Sequence, residues 1–164
     1  LETKENEKAA PIDFPRMNTG KTSGEEILES RFNQLFADGF SEAIISADKV
    51  FEAPENYYTI NYDRRDKYEA GHIKGAVRYK PNGTLGIKSE METIPNNKEV
   101  VVYCGTGHNS SFVTAYLRLF GYNAKTLVYG NNSFMHDIMI ADKTTLSWLP
   151  FTDEEIENYP TVKN

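Results

Sequence analysis

Cys104 is the only cysteine in the 164-residue chain, and its neighbours make it a candidate nucleophile. It sits in the run Val100-Val101-Val102-Tyr103-Cys104-Gly105-Thr106-Gly107-His108-Asn109-Ser110, which turns from apolar residues to small ones at the thiol. Beyond it, Phe112, Val113, Tyr116, Leu117, Leu119 and Phe120 recur at helical spacing, and Gly121 stands where a helix C′ residue belongs. The pattern predicts a strand, a tight loop and a helix, with the thiol at the strand's C-terminal end, where open α/β sheets place their ligands. Gly105 and Gly107 let backbone N–H groups turn inward to make an anion-binding concavity. The start of the following helix adds partial positive charge. Both favour thiolate, the reactive form of cysteine. An inert core cysteine beside a glycine turn is the alternative reading.

The rest of the chain predicts the elements that hold this loop. Thr22 or Ser23 is placed to cap a helix with Glu25 and Glu26 in its first turn, its apolar face carried by Ile27, Leu28, Phe32, Leu35 and Phe36, and Gly39 at its end. Residues 46–51 read as a short capped helical turn, 57–62 as a strand, 63–70 as a short helix closed by Gly71, and 76–79 as a second strand. Residues 82–99 read as a surface connection with one helical turn. A strand at 123–129 leads into the turn Gly130-Asn131-Asn132-Ser133, from which Ser133 is expected to cap a helix through Ile140. Thr152 and Glu155 form a capping box for a last short helix, and Trp148 and Phe151 are expected to pack the tail onto the domain. Strands alternating with helices imply βαβ crossovers and a mainly parallel sheet with helices on both faces. The domain reading is a flexible tether at 1–23, a helical extension at 24–45, a core domain at 46–141 and a packed tail at 142–164.

Composition narrows the function. A net charge of −6, with no basic cluster beyond Arg64-Arg65, argues against nucleic-acid binding. No apolar run approaches membrane-spanning length. One cysteine excludes an internal disulfide, and with three scattered histidines it makes no metal constellation. The polar stretch after Leu1 fits an exported, periplasmic or lipid-anchored bacterial protein whose signal has been removed, with a cytoplasmic protein as the alternative.

Two stretches together resemble a known family. Tyr68-Glu69-Ala70-Gly71-His72-Ile73-Lys74-Gly75-Ala76 resembles the aromatic and Gly-His-Ile-x-Gly-Ala motif of rhodanese-like domains. About thirty residues later, Val101-Val102-Tyr103-Cys104, followed by Gly107, Asn109 and Ser110, is similar to that family's active-site loop. Gly121-Tyr122, Leu127 and Gly130 also fall at family positions, so the likeness spans residues 46–141. It implies a rhodanese-like α/β domain acting as a sulfurtransferase. Cys104 would accept a sulfane sulfur as a persulfide and pass it on. The backbone of Gly105, Thr106, Gly107, His108, Asn109 and Ser110 would bind the persulfide or a thiosulfate anion. The implied partners are a small sulfur donor and a thiol or cyanide-like acceptor, with no cofactor and no metal.

The chain departs from the family at several places. Asn109 stands where many members have arginine, serine or threonine, and Gly105 where some have a basic residue. The loop has no permanent cation, and His108 is its one ionisable base. The usual Asp-x-Arg pair aligns on Asn61 and Asp63, or with a two-residue shift on Asp63 and Arg65. His72 reads as structural and His136 as a rim residue. A non-catalytic binding, regulatory or redox-sensing module is the competing function. A cysteine phosphatase is disfavoured because Ser110 stands where its oxyanion-clamping arginine is needed.

Overall fold

Val100, Val101 and Val102 are fully buried, and this continuous apolar run is the central strand of the sheet. The computed structural model describes residues 1–142 and 148–162. Five strands, β1 (Ile44–Ile45), β2 (Tyr57–Asn61), β3 (Val77–Arg78), β4 (Glu99–Tyr103) and β5 (Ala124–Leu127), lie in the order β1-β5-β4-β2-β3. All pairings are parallel, with Asn61 opposite Tyr103 and Val102 opposite Thr126. Every loop that follows a strand therefore leaves from one edge of the sheet.

Alternation along β4 divides the core in two. Val100 and Val102 pack with Ile60, Ala124, Val113 and Leu117 under α4 (His108–Leu119). Val101 and Tyr103 pack on the other face with Val50 of α2 (Ala47–Glu52), Ile45, Ile73 and Leu127. The expected parallel sheet with helices on both faces is what the chain forms. The short helices α3 (Arg65–Ala70) and α5 (His136–Ala141) follow β2 and β5.

The N-terminal helix α1 (Gly24–Asp38) is capped by Ser23, whose Oγ accepts from Glu26 N. It buries no residue of its own and docks on α4 by polar contacts. Arg31 donates to the carbonyls of Leu119 (3.2 Å) and Arg118 (2.6 Å), placing a cation on the C-terminal end of α4.

Three local expectations differ from the structure. Ser133 caps no helix: its hydroxyl donates to Gly130 O, closing a 3₁₀ turn over Gly130–Ser133, and α5 begins only at His136. Ile44 and Ile45, read as the end of the helical extension at 24–45, instead form the edge strand β1, whose two residues are too few to carry a periodic signal. The segment read as a flexible tether is docked at its start. Glu2 and His72 exchange backbone hydrogen bonds of 2.8 Å, and the Glu2 carboxylate accepts from Gly75 N and Asn6 Nδ2. Polar composition suggested solvation, but these polar groups bond to the protein. Residues 143–147 and 163–164 of the expected tail lie outside the described residues.

Candidate active site

Cys104 follows β4 directly and is 3% exposed. Its loop turns into α4 at Gly107, the helix N-cap, whose left-handed backbone (φ 92°) suits glycine. Gly107 O accepts from Ser111 N (3.0 Å), Ser111 Oγ (2.7 Å) and Ser110 Oγ (3.0 Å), so the loop closes on the helix's first turn. Among the described residues, none of the backbone N–H groups from Gly105 to Ser110 has a protein acceptor. Gly105, Gly107 and Ser110 are buried, so these donors are a standing demand for an acceptor.

Among the described residues the thiol makes one hydrogen bond. Sγ lies 3.7 Å from Ser110 Oγ, which also donates to Gly107 O and lies 2.8 Å from Thr126 Oγ1. Ser110 has one hydroxyl proton, so it accepts from the thiol while that proton points at Gly107 O. Once the thiol ionises, the same proton can swing to Sγ. Thr106 Oγ1 and His108 Nδ1 form a 2.9 Å hydrogen bond on the outer side of the loop, where His108 and Asn109 are exposed. All seven residues named from the sequence thus lie in one loop and helix start, with Ser110 nearest the sulfur and His108 turned outward.

The loop rests on the turn after β5. Tyr129 and Gly130 both have left-handed backbones (φ 62° and 56°), folding the chain back so that Asn131 N donates to Cys104 O (2.9 Å). A Cβ on Gly130 would collide with the Cys104 carbonyl, so only glycine fits. Asn132 Nδ2 donates to Gly105 O (3.0 Å) and to Leu149 O (3.0 Å), while its Oδ1 accepts from Phe151 N (2.7 Å). One amide therefore ties the cysteine loop to the C-terminal tail. Trp148 is buried with Met135 and Met139. Phe151 meets Tyr129 edge-on at 6.0 Å.

A cation reaches this loop from outside it. Lys67 of α3 and Asp63 form a 3.3 Å ion pair whose side chains are 8% and 10% exposed. The Lys67 Nζ lies 3.3 Å from where a Cβ on Gly105 would stand, and 5.6 Å from the centre of the Trp148 ring. Burial pushes the Asp63 carboxyl above its ordinary range, against the pull of Lys67 and the Arg64 N–H. In the first alignment Asn61 and Asp63 are both buried; in the shifted one Asp63 is buried, but its partner is Lys67 rather than Arg65. Arg65 is exposed and pairs with Glu69 and Glu5. The i, i+4 spacing of Asp63 and Lys67 was the available signal.

The remaining histidines stand apart from the thiol's own contacts. His72 is fully buried, stacked on Tyr68 at 3.7 Å, with Nδ1 2.8 Å from Tyr68 O. His136 Nε2 bonds Phe151 O at 2.7 Å and so helps hold the tail. Among the described residues no group of three or more His, Cys, Asp or Glu is placed to hold a metal, and no helix is long and apolar enough to cross a membrane.

The site is thus a cysteine loop running from the central strand of a parallel α/β sheet into a helix. The model of the rhodanese-like domain matches residues 48–137, more than half of the chain, and the chain belongs to that family. The fold is shared with a rhodanese-related protein from Thermoplasma volcanium, at 19% identity and a TM-score of 0.53, covering 58% of this chain and 92% of that one. It is shared also with the reduced CoADR-RHD of Bacillus anthracis, at 22% identity and a TM-score of 0.51, covering 62% of this chain but 18% of that one. A rhodanese-like domain protein from Staphylococcus aureus matches at 19% identity and a TM-score of 0.50, covering 56% of this chain and 90% of that one. No curated protein matches the chain.

Proposed function

We propose that the protein is a sulfurtransferase that carries sulfane sulfur as a persulfide on Cys104. The observation that supports this most is the set of N–H groups from Gly105 to Ser110 without a protein acceptor, in the loop that directly follows one buried thiol. In the first half-reaction the Cys104 thiolate attacks the outer sulfur of thiosulfate. The sulfur–sulfur bond breaks, and sulfite leaves with the electron pair. The terminal sulfur of the resulting persulfide carries negative charge, which the loop N–H groups and the start of α4 can stabilise. In the second half-reaction an acceptor such as cyanide attacks that terminal sulfur and Cys104 leaves as thiolate. No outside oxidant or reductant is needed.

Within this reading Ser110 is a thiolate donor held in place by Thr126, while Lys67, ion-paired with Asp63, stands beside Gly105. The test is thiocyanate formation from thiosulfate and cyanide by the wild type and by Cys104→Ser. Turnover that vanishes with the thiol is the expected result. Equal turnover by the two proteins would refute the assignment.

A further inference from the structure

Two consecutive carbonyls of the cysteine loop are gripped from the turn that follows β5. Asn131 N donates to Cys104 O (2.9 Å), and Asn132 Nδ2 donates to Gly105 O (3.0 Å). In a trans peptide the carbonyl and the N–H point opposite ways across the C–N bond. The peptide that carries Cys104 O also carries Gly105 N–H, and the one that carries Gly105 O carries Thr106 N–H. Both N–H groups are therefore turned away from the Gly130–Ser133 turn, and among the described residues neither meets a protein acceptor. They are the first two donors of the anion cradle.

The two grips differ in what secures them. Asn131 acts through its backbone, whereas Asn132 acts through a side-chain amide that must itself be aimed. The tail aims it. Nδ2 also donates to Leu149 O (3.0 Å), and Oδ1 accepts from Phe151 N (2.7 Å). An amide turned end for end would set Oδ1 against two carbonyls and Nδ2 against an N–H, so these partners admit one orientation. Phe151 O accepts from His136 Nε2 (2.7 Å), and Trp148 is buried with Met135 and Met139, so the tail has its own anchorage at α5. Residues 148–151 lie beyond the 48–137 match to the rhodanese-like domain, so the clamp on Gly105 comes from outside the matched domain.

We infer that Asn132 is a positioning residue for the cradle, and that the C-terminal tail, by holding its amide, sets the direction of Thr106 N–H for a bound anion. The inference rests on the Cys104 persulfide reading, in which that anion is first thiosulfate and then the persulfide. Tail docking and anion binding are then coupled. A docked tail favours the anion by the same factor by which a bound anion favours the docked tail.

Kinetics test the positioning, and proteolysis tests the coupling. Asn132→Ala should lower kcat/KM for thiosulfate about tenfold, the scale of one misdirected hydrogen bond to an anion. Phe151→Pro removes the N–H that Oδ1 accepts, while Phe151→Ala removes the ring and keeps that N–H. The proline variant should fall severalfold below the alanine variant, and equal values would overturn the inference. For the coupling, Cys104→Ser is digested with chymotrypsin in saturating thiosulfate, or in sodium chloride of the same ionic strength. Thiosulfate should slow cleavage after Phe151 by up to about tenfold, and the effect should vanish in Cys104→Ser/Asn132→Ala. Cleavage of Cys104→Ser at one rate in both salts would overturn the inference. Protection by thiosulfate with no thiocyanate formed by the wild type would instead strike the persulfide reading and leave the clamp standing.

Discussion

A methyl group on Gly130 would occupy the space of the Cys104 carbonyl, on a backbone that already has positive φ. Gly130→Ala should therefore destabilise the fold by about 3 kcal/mol, by overpacking and strain together, and deform the cysteine loop. Thermal unfolding checks the first effect, and sulfur transfer at a temperature where the variant stays folded checks the second. Lys67→Met should cost about 3–5 kcal/mol, because it strands the Asp63 carboxylate in the interior. The double variant Lys67→Met/Asp63→Leu removes both charges and should recover much of that loss, as a double-mutant cycle would show. At this scale the site was partly legible. Cys104 to Ser110 could be read because the loop is contiguous and its small residues have a local reason. Lys67, Thr126 and Asn132 could not, since each is joined to the loop only by the fold.

Among the elements, the C-terminal tail depends on Asn132, whose side chain serves Gly105 O, Leu149 O and Phe151 N together. Asn132→Ala should cost about 1–3 kcal/mol for the groups it leaves unpaired and should speed proteolysis of the tail before the core opens. Limited proteolysis followed by mass mapping measures this directly. Cleavage confined to the wild-type pattern would contradict it. The longer elements were legible from periodicity: the strand at residues 57–62, the apolar run into Cys104, and the helices ended by Gly39 and Gly121. Ser133 was misread because a serine hydroxyl can satisfy a nearby carbonyl as readily as a helix N-terminus. The docked N-terminal segment was illegible because its partners, His72 and Gly75, lie some seventy residues away.

For the molecule as a whole, the tyrosine content sets an alkaline limit on stability. Burial raises the phenols of Tyr58, Tyr68, Tyr79 and Tyr103 above their ordinary value of 10.0, and that of Tyr122 to about 12. The unfolded chain releases these protons near pH 10 while the native one retains them. Between the two values the folded state binds more protons, so stability is full below about pH 10 and falls as pH rises beyond it. Chemical denaturation at a series of alkaline pH values should show this fall. Phenolate absorbance from these five tyrosines should appear together with unfolding rather than before it.

The central claim is that Cys104 holds transferable sulfur, and the most direct measurement is the intact mass of the protein after thiosulfate and again after cyanide. The wild type should gain one sulfur atom and lose it to cyanide, while Cys104→Ser should gain none. A wild type that gains no sulfur from thiosulfate or from polysulfide, or a Cys104→Ser variant that gains it equally, would contradict the account.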